Sequence, residues 1–385
     1  MEISDKIQSL LKNISSNEVG YVLILFFATR PILILIGLAS RRLLAPYMPE
    51  VFDEYILHYS DISFLNLWGM WDSGWYLQIA EHGYSPKLGT IDRELNMANY
   101  AFFPVLPIFI RIVGTVIRNY FVAGLLITNI CLIVSGVYLY KLVRLDYEDI
   151  VGFNAVKFLF IFPNAYMFSS VLTEPVFLML TLMIFYYGRK QKWLLIGVLG
   201  FFLSLTRVLG AFIALPILIE YLKVRDYRLS KIKLNVLYIA IIPLGLAVYI
   251  FYNYFLTRDP LAFVHIQAAW GREISSPNPI IALYEGLTGS GYYYKLSALI
   301  ALLVLTALVI FYRRFRFSYW VYTLYSILIP ISTGLLSVHR FVLILFPFYI
   351  LFGLLYKRPK LDLATTIAMA LLQGFSMALW SVGLL

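Results

Sequence analysis

Residues 20–40 read GYVLILFFATRPILILIGLAS, a run whose single charge is Arg30 and whose single proline is Pro31. About 20 apolar residues are what an α-helix needs to cross the roughly 30 Å hydrocarbon layer, where the backbone must satisfy its own amide groups. Similar runs recur along nearly the whole chain and leave no room for a soluble domain between them. Composition agrees: 61% of the 385 residues are hydrophobic, 17% are Phe, Trp or Tyr, and only 14% are charged. A soluble chain with that balance would aggregate, so the expected fold is an all-α polytopic membrane protein, one integral domain over residues 1–385.

The formal net charge of +10 is not a nucleic-acid signal, because the Lys and Arg residues sit in short clusters between apolar runs. GRKQK (188–192), KVRDYRLSKIK (223–233), YRRFR (312–316) and YKRPK (356–360) read as cytoplasmic under the positive-inside rule. Counting crossings between them gives about 11 spans. The stretch YAFFPVLPIFIRIVGTVI (100–117) fits poorly as one of these: Pro104, Pro107 and Arg111 suit a re-entrant or interfacial helix better. Arg41 and Arg42 fall on the wrong side of this count, in a loop long enough to weaken the rule. Residues 1–19, with Lys6 and Lys12, read as an uncleaved cytoplasmic leader, where the sequon Asn13-Ile14-Ser15 has no role. The one cysteine, Cys131, excludes an intramolecular disulfide and a cysteine-based metal site.

With that topology the isolated polar residues gather at the outer face. Asp72, Glu81 and His82 lie in WGMWDSGWYLQIAEHGYS (68–85), Glu174 opens a span, and Arg207 interrupts LSLTRVLGAF (203–212). His265, Arg272 and Glu273 are in loop 257–294, and His339 and Arg340 form a turn. Each has a plain reading. The tryptophans suit an interfacial belt, Asp72 a helix N-cap, Arg207 a snorkelling anchor and Glu174 the first turn of a helix, where a carboxylate meets the dipole. Arg30-Pro31 reads as a kink and anchor in the first span. Ionisable groups at membrane depth are costly unless they face a cavity or one another, and a shared face favours one water-filled site capped by outer loops 41–99 and 257–294.

The sequence has no GxxxxGK[ST] phosphate loop and no HExxH, which removes ATP-driven transport and zinc proteolysis. A transferase using a lipid-linked donor asks for less: one carboxylate to take a proton from a hydroxyl, and cations to hold a departing phosphate. The motifs WDSGWYLQIAEHGYS (71–85), YAFFPVLPIFI (100–110), PNAYMFSSVLTEPVF (163–177) and LTRVLG (205–210) then resemble, in order, the landmarks of the PIG-V family. These are mannosyltransferases of glycosylphosphatidylinositol assembly, with prokaryotic relatives, within the GT-C glycosyltransferases. The likeness runs over roughly residues 20–350 and is strongest in the first 210.

The resemblance implies a GT-C-type helical bundle and an inverting transfer of mannose from a dolichyl- or polyprenyl-phosphate donor to a glycan or glycolipid hydroxyl. It implies Asp72 as the catalytic carboxylate, Glu81 and His82 as sugar or acceptor contacts, and Glu174 as a supporting pocket residue. Trp71 and Trp75 would stack on sugar. Arg207 becomes a phosphate ligand, although RVLG departs from the family's RSNG-like stretch; topology and charge add His339 and Arg340. No cofactor is expected. Asp72, Glu81, His82, Asp92 and Glu94 offer atoms for a divalent metal, but no spacing is diagnostic. The expected partners are the lipid-phosphate sugar, the acceptor and membrane lipid, with a small membrane subunit compatible and nucleic acid excluded. The expected location is the plasma membrane of a prokaryote, the endoplasmic reticulum being the alternative. A lipid-linked sugar flippase or transporter is the rival reading, and it predicts inverted repeats with broken helices that the sequence does not display. A purely structural membrane subunit would leave the outer charges unexplained.

Overall fold

The computed structural model describes residues 17–44, 47, 58–87, 97–273, 275 and 277–384. Lys6, Lys12, the Asn13 sequon, Asp92 and Glu94 lie outside them. Among the described residues there are helices and no strands, as the apolar runs require. The first part of the chain forms α1 (Glu18–Leu44), α2 (Ser73–His82), α3 (Val105–Ile117), α4 (Tyr120–Val143) and α5 (Asp149–Ile161). The middle forms α6 (Glu174–Arg189), α7 (Trp193–Ser204), α8 (Ala214–Lys223), α9 (Ile242–Thr257) and α10 (Pro279–Thr288). The last part forms α11 (Tyr292–Ile310), α12 (Phe317–Ser332), α13 (Val338–Phe341), α14 (Phe346–Gly353) and α15 (Pro359–Ser381).

Among the described residues five helical stretches are long and apolar enough to cross a membrane: α1, α4, Leu234–Thr257, α11 and α15. The bent pair Val338–Ile344 and Phe346–Lys357 makes a sixth if counted as one span. Other apolar runs form shorter helices broken by 3-10 turns. Residues 193–222, read as two crossings, become α7 of 12 residues, an extended Arg207, the turn Val208–Ile213 and α8 of 10 residues. At 1.5 Å per residue α7 reaches only about 18 Å. α3, with 13 residues, is likewise too short to cross unaided. Pro104 precedes it and Pro107 stands in its first turn, where the missing N–H costs nothing.

The chain divides into two units, Met1–Trp71, Leu125–Val171 and Phe348–Leu385 forming one, Asp72–Gly124 and Leu172–Pro347 the other. In the first, α15 lies along α1 so closely that a Cβ on Gly37 would sit 2.8 Å from Met377 Cε. Arg30 is buried and donates to the carbonyl of Ala165 at 3.1 Å and to Ser169 Oγ at 3.0 Å. It thus anchors α1 to a 3-10 turn (Ala165–Ser169), whose irregular backbone needs donors in a setting without water. Arg41 is held in the same way, by the carbonyls of Ser381 (2.9 Å) and Asn66 (3.1 Å).

In the second unit, α7 and α9 meet through glycines. A Cβ on Gly245 would lie 2.2 Å from the Phe201 carbonyl oxygen, and one on Gly200 would lie 2.4 Å from Ile242 Cγ1. Ser204 seals the contact by donating to the Ile242 carbonyl at 2.7 Å. Small residues let membrane helices gain dispersion and hydrogen bonds where lipid removes the hydrophobic drive. Gly245→Val therefore has to push the two backbones apart. It is expected to cost about 1–3 kcal/mol, read as a lower thermal midpoint in detergent, whereas a substitution at lipid-exposed Leu244 leaves the midpoint unchanged.

Candidate active site

The chain turns sharply into α2: Trp71, 39% exposed, adopts a left-handed φ of 54°, and Asp72 follows at the N-cap position. The Asp72 carboxylate makes no cap hydrogen bond. It pairs instead with Arg340 Nη1, so the plain N-cap reading of Asp72 does not hold. One helical turn on, Trp75 stacks on Phe102 (centroids 5.4 Å, 15°) and Tyr76 meets the same ring edge-on at 5.3 Å. Residues three and four apart share a helix face, which is how α2 aims Asp72 and this aromatic wall together.

Arg340, in α13, spends its donors on two acids. While Nη1 holds Asp72, Nε donates to Glu174 Oε1 at 2.8 Å. Glu174 opens α6 ahead of Pro175, is fully buried, and takes a second bond from Arg207 Nη1 at 2.7 Å. Arg207 reaches it because the chain is extended there (φ −163°, ψ 153°) between α7 and the next turn. Its guanidinium also lies 5.1 Å from the centre of the Phe341 ring. A cavity of about 330 Å³ opens beside this cluster, lined among others by Asp72, Tyr76, Arg207, Trp270, Arg272 and Arg340.

Arg272 is the residue that the sequence left without a role. It comes from the polar loop before α10 and sits 5.8 Å from the same Phe341 ring; among the described residues its side chain makes only long bonds, to Thr333 Oγ1 at 3.4 Å and the Leu336 carbonyl at 3.3 Å. Burial, then the positive charges of Arg207 and Arg340, bring its pKa down to about 10, so it is still a cation near neutral pH, crowded by its own kind. Three guanidinium groups against two carboxylates, Asp72 and Glu174, leave an excess of one positive charge. Burial, then the Asp72 charge, raises the Tyr76 phenol, which stays neutral beside them. What the cluster can do chemically is bind an anion next to a carboxylate. The signal for Arg272 was an isolated Arg two residues after Trp270 in a polar loop.

Other expected residues sit elsewhere. Trp75 is buried behind Phe102, supporting the wall. Glu81 and His82 are exposed at the far end of α2, 3.8 Å from one another, and do not line the cavity. His339 is buried and meets the Tyr293 hydroxyl at 3.2 Å, the oxygen that also accepts the Ser337 N–H at 3.0 Å. It fixes the left-handed Ser337 (φ 66°), from which α13 presents Arg340.

Among known families, the model of the mannosyltransferase (PIG-V) family matches residues 11–214. The chain belongs to this family. The matched part holds Asp72, Glu174 and Arg207, whereas Arg272, His339 and Arg340 follow it. No curated protein matches the chain. Among solved structures it is similar to the Archaeoglobus fulgidus oligosaccharyltransferase in complex with Zn and sulfate, at 12% identity and a TM-score of 0.43. That likeness covers 92% of this chain and 52% of the other, so the chain spans about half the length of that protein.

The sharing of Arg340 sets an order among substitutions. Arg340→Met strips Asp72 of its cation and leaves buried Glu174 with Arg207 alone, and is expected to cost about 3–5 kcal/mol. Arg207→Met leaves Glu174 its bond to Arg340 and is expected to cost less. Adding Glu174→Gln to Arg340→Met should restore part of the thermal midpoint; a double variant less stable than the single one contradicts the pairing.

Proposed function

We propose that the chain is an inverting glycosyltransferase that moves mannose from a polyprenyl- or dolichyl-phosphate mannose to a hydroxyl of a glycan or glycolipid, on the non-cytoplasmic face. The observation that carries this is one carboxylate, Asp72, at the wall of a cavity bearing three guanidinium groups, Arg207, Arg272 and Arg340. Membership of the mannosyltransferase family supports the sugar.

In this mechanism the acceptor oxygen attacks the anomeric carbon while Asp72 takes its proton. The bond from that carbon to the phosphate oxygen breaks, and its electron pair leaves with the lipid phosphate. One displacement inverts the centre, so a β-linked donor gives an α-mannoside. The donor phosphodiester carries a single negative charge, which the excess of one positive charge in the cluster balances. As it departs, the monoester gains charge, and fixed guanidinium groups hold it more tightly than the bound donor, which is the differential binding that lowers a barrier.

Arg340 has a double part here. Paired with Asp72 in the structure, it occupies that carboxylate; a phosphate arriving beside Arg207 and Arg272 competes for guanidinium donors and frees Asp72 for the acceptor hydroxyl. The arginines supply the positive charge, and the mechanism calls for no metal.

The test is transfer of labelled mannose from polyprenyl-phosphate mannose by purified protein. Asp72→Asn, inserted and folded at wild-type level, is expected to lower turnover by about a hundredfold or more, and a chelator is expected to leave wild-type turnover unchanged. Normal turnover in Asp72→Asn removes it as the base. Arg272→Gln is expected to lower kcat/KM by about ten- to a hundredfold, with a raised KM for the donor; an effect on acceptor KM alone contradicts its phosphate role.

A further inference from the structure

A second chamber, of about 580 Å³, lies in the same unit beside α10 and the end of α12. It shares Arg272, Thr333 and Leu336 with the cavity described above. Arg272 crosses from one to the other, its Nη1 toward Thr333 Oγ1 and its Nη2 toward the Leu336 carbonyl. The three residues form the border between the two chambers.

Across that border the chemistry reverses. Among the described residues the charged ones lining the second chamber are Glu273, Glu285 and the shared Arg272; with Arg272 already counted in the first site, the second chamber's own charged residues are two carboxylates. A phosphate is drawn to the first chamber and repelled from the second, so the two do not compete for the same ligand. The ligand that suits the second chamber is neutral and rich in hydroxyls. Glu273 already accepts from the N–H of Ser275 at 2.7 Å, whereas the exposed Glu285 carboxylate has no partner among the described residues. The Ser290 hydroxyl and the Nδ2 of Asn278, whose Oδ1 caps α10, add polar groups. Tyr294, half exposed, offers a ring face for a sugar.

We infer that this second chamber holds the carbohydrate of the acceptor, whose reacting hydroxyl passes Arg272 to reach Asp72 in the first cavity. The inference rests on the reading of the first cavity as the donor site. It is tested by saturation-transfer NMR on the full chain in detergent, with farnesyl phosphate as the phosphate probe and methyl α-D-mannopyranoside and methyl β-D-glucopyranoside as neutral glycosides.

Wild-type protein is expected to bind farnesyl phosphate and at least one glycoside together. Ser290→Trp, which fills the second chamber, should weaken glycoside binding about tenfold or more and leave farnesyl phosphate bound; Arg207→Gln should do the converse. A wild-type protein that binds neither glycoside, a glycoside signal untouched by Ser290→Trp, or displacement of the glycoside by farnesyl phosphate overturns the inference. Failure of farnesyl phosphate to bind, with the glycoside arm as expected, overturns the donor reading and leaves the carbohydrate subsite standing. Thermal unfolding of each variant separates loss of a site from loss of the fold.

Discussion

One guanidinium shared between two carboxylates organises the second unit. Glu174 has no access to solvent, and an isolated carboxylate in that position would cost several kcal/mol or take up a proton. Arg340 and Arg207 both answer it, and Arg340 has a donor left for Asp72. Those contacts determine which segments meet: the start of α2, the start of α6, the break after α7 and the short α13. The aromatic wall of Phe102, Trp75 and Trp270 and the glycine contact between α7 and α9 can be seen as what holds those four backbones steady enough for the shared pairing.

The all-helical membrane character was legible because apolar length is a strong signal, and Arg30, Asp72, Glu174, Arg207 and Arg340 were legible because charges are rare and costly at membrane depth. How each run divides into helices was much less so. A hydropathic run does not say whether it will be one long helix or a short one ending in a 3-10 turn, and Arg207 owes its reach to such a break. Arg41 falls on the wrong side of the positive-inside count, and its place is a tertiary one: its donors are taken up by the carbonyls of Ser381 and Asn66, invisible to any local window.

At the site, the sequence put the acids and bases on one face but could not pair them. Arg340, read as a phosphate ligand, first serves Asp72 and Glu174, and His339 serves Ser337 through Tyr293. Glu81 and His82, within the motif that carries the family likeness, point to solvent at the opposite end of a ten-residue helix from Asp72. Arg272 had no motif around it at all; what gives it a part is its place between a cationic chamber and an acidic one, a property of two surfaces rather than of a string.

The spacing of the shared pair along the chain also bears on how the protein is made. Glu174 meets Arg207 33 residues later but Arg340 only after 166. At a synthesis rate of about 5–20 residues per second, the interval between the two arginines is on the order of ten seconds, during which α6 is already at the translocon with a carboxylate to hide. Arg207 is thus the early chaperone of Glu174 within the nascent chain, and Arg340 the late arrival that turns the neutral set of Asp72, Glu174, Arg207 and Arg272 into a positively charged site. The charge that attracts an anion comes into being only once Arg340 has been inserted.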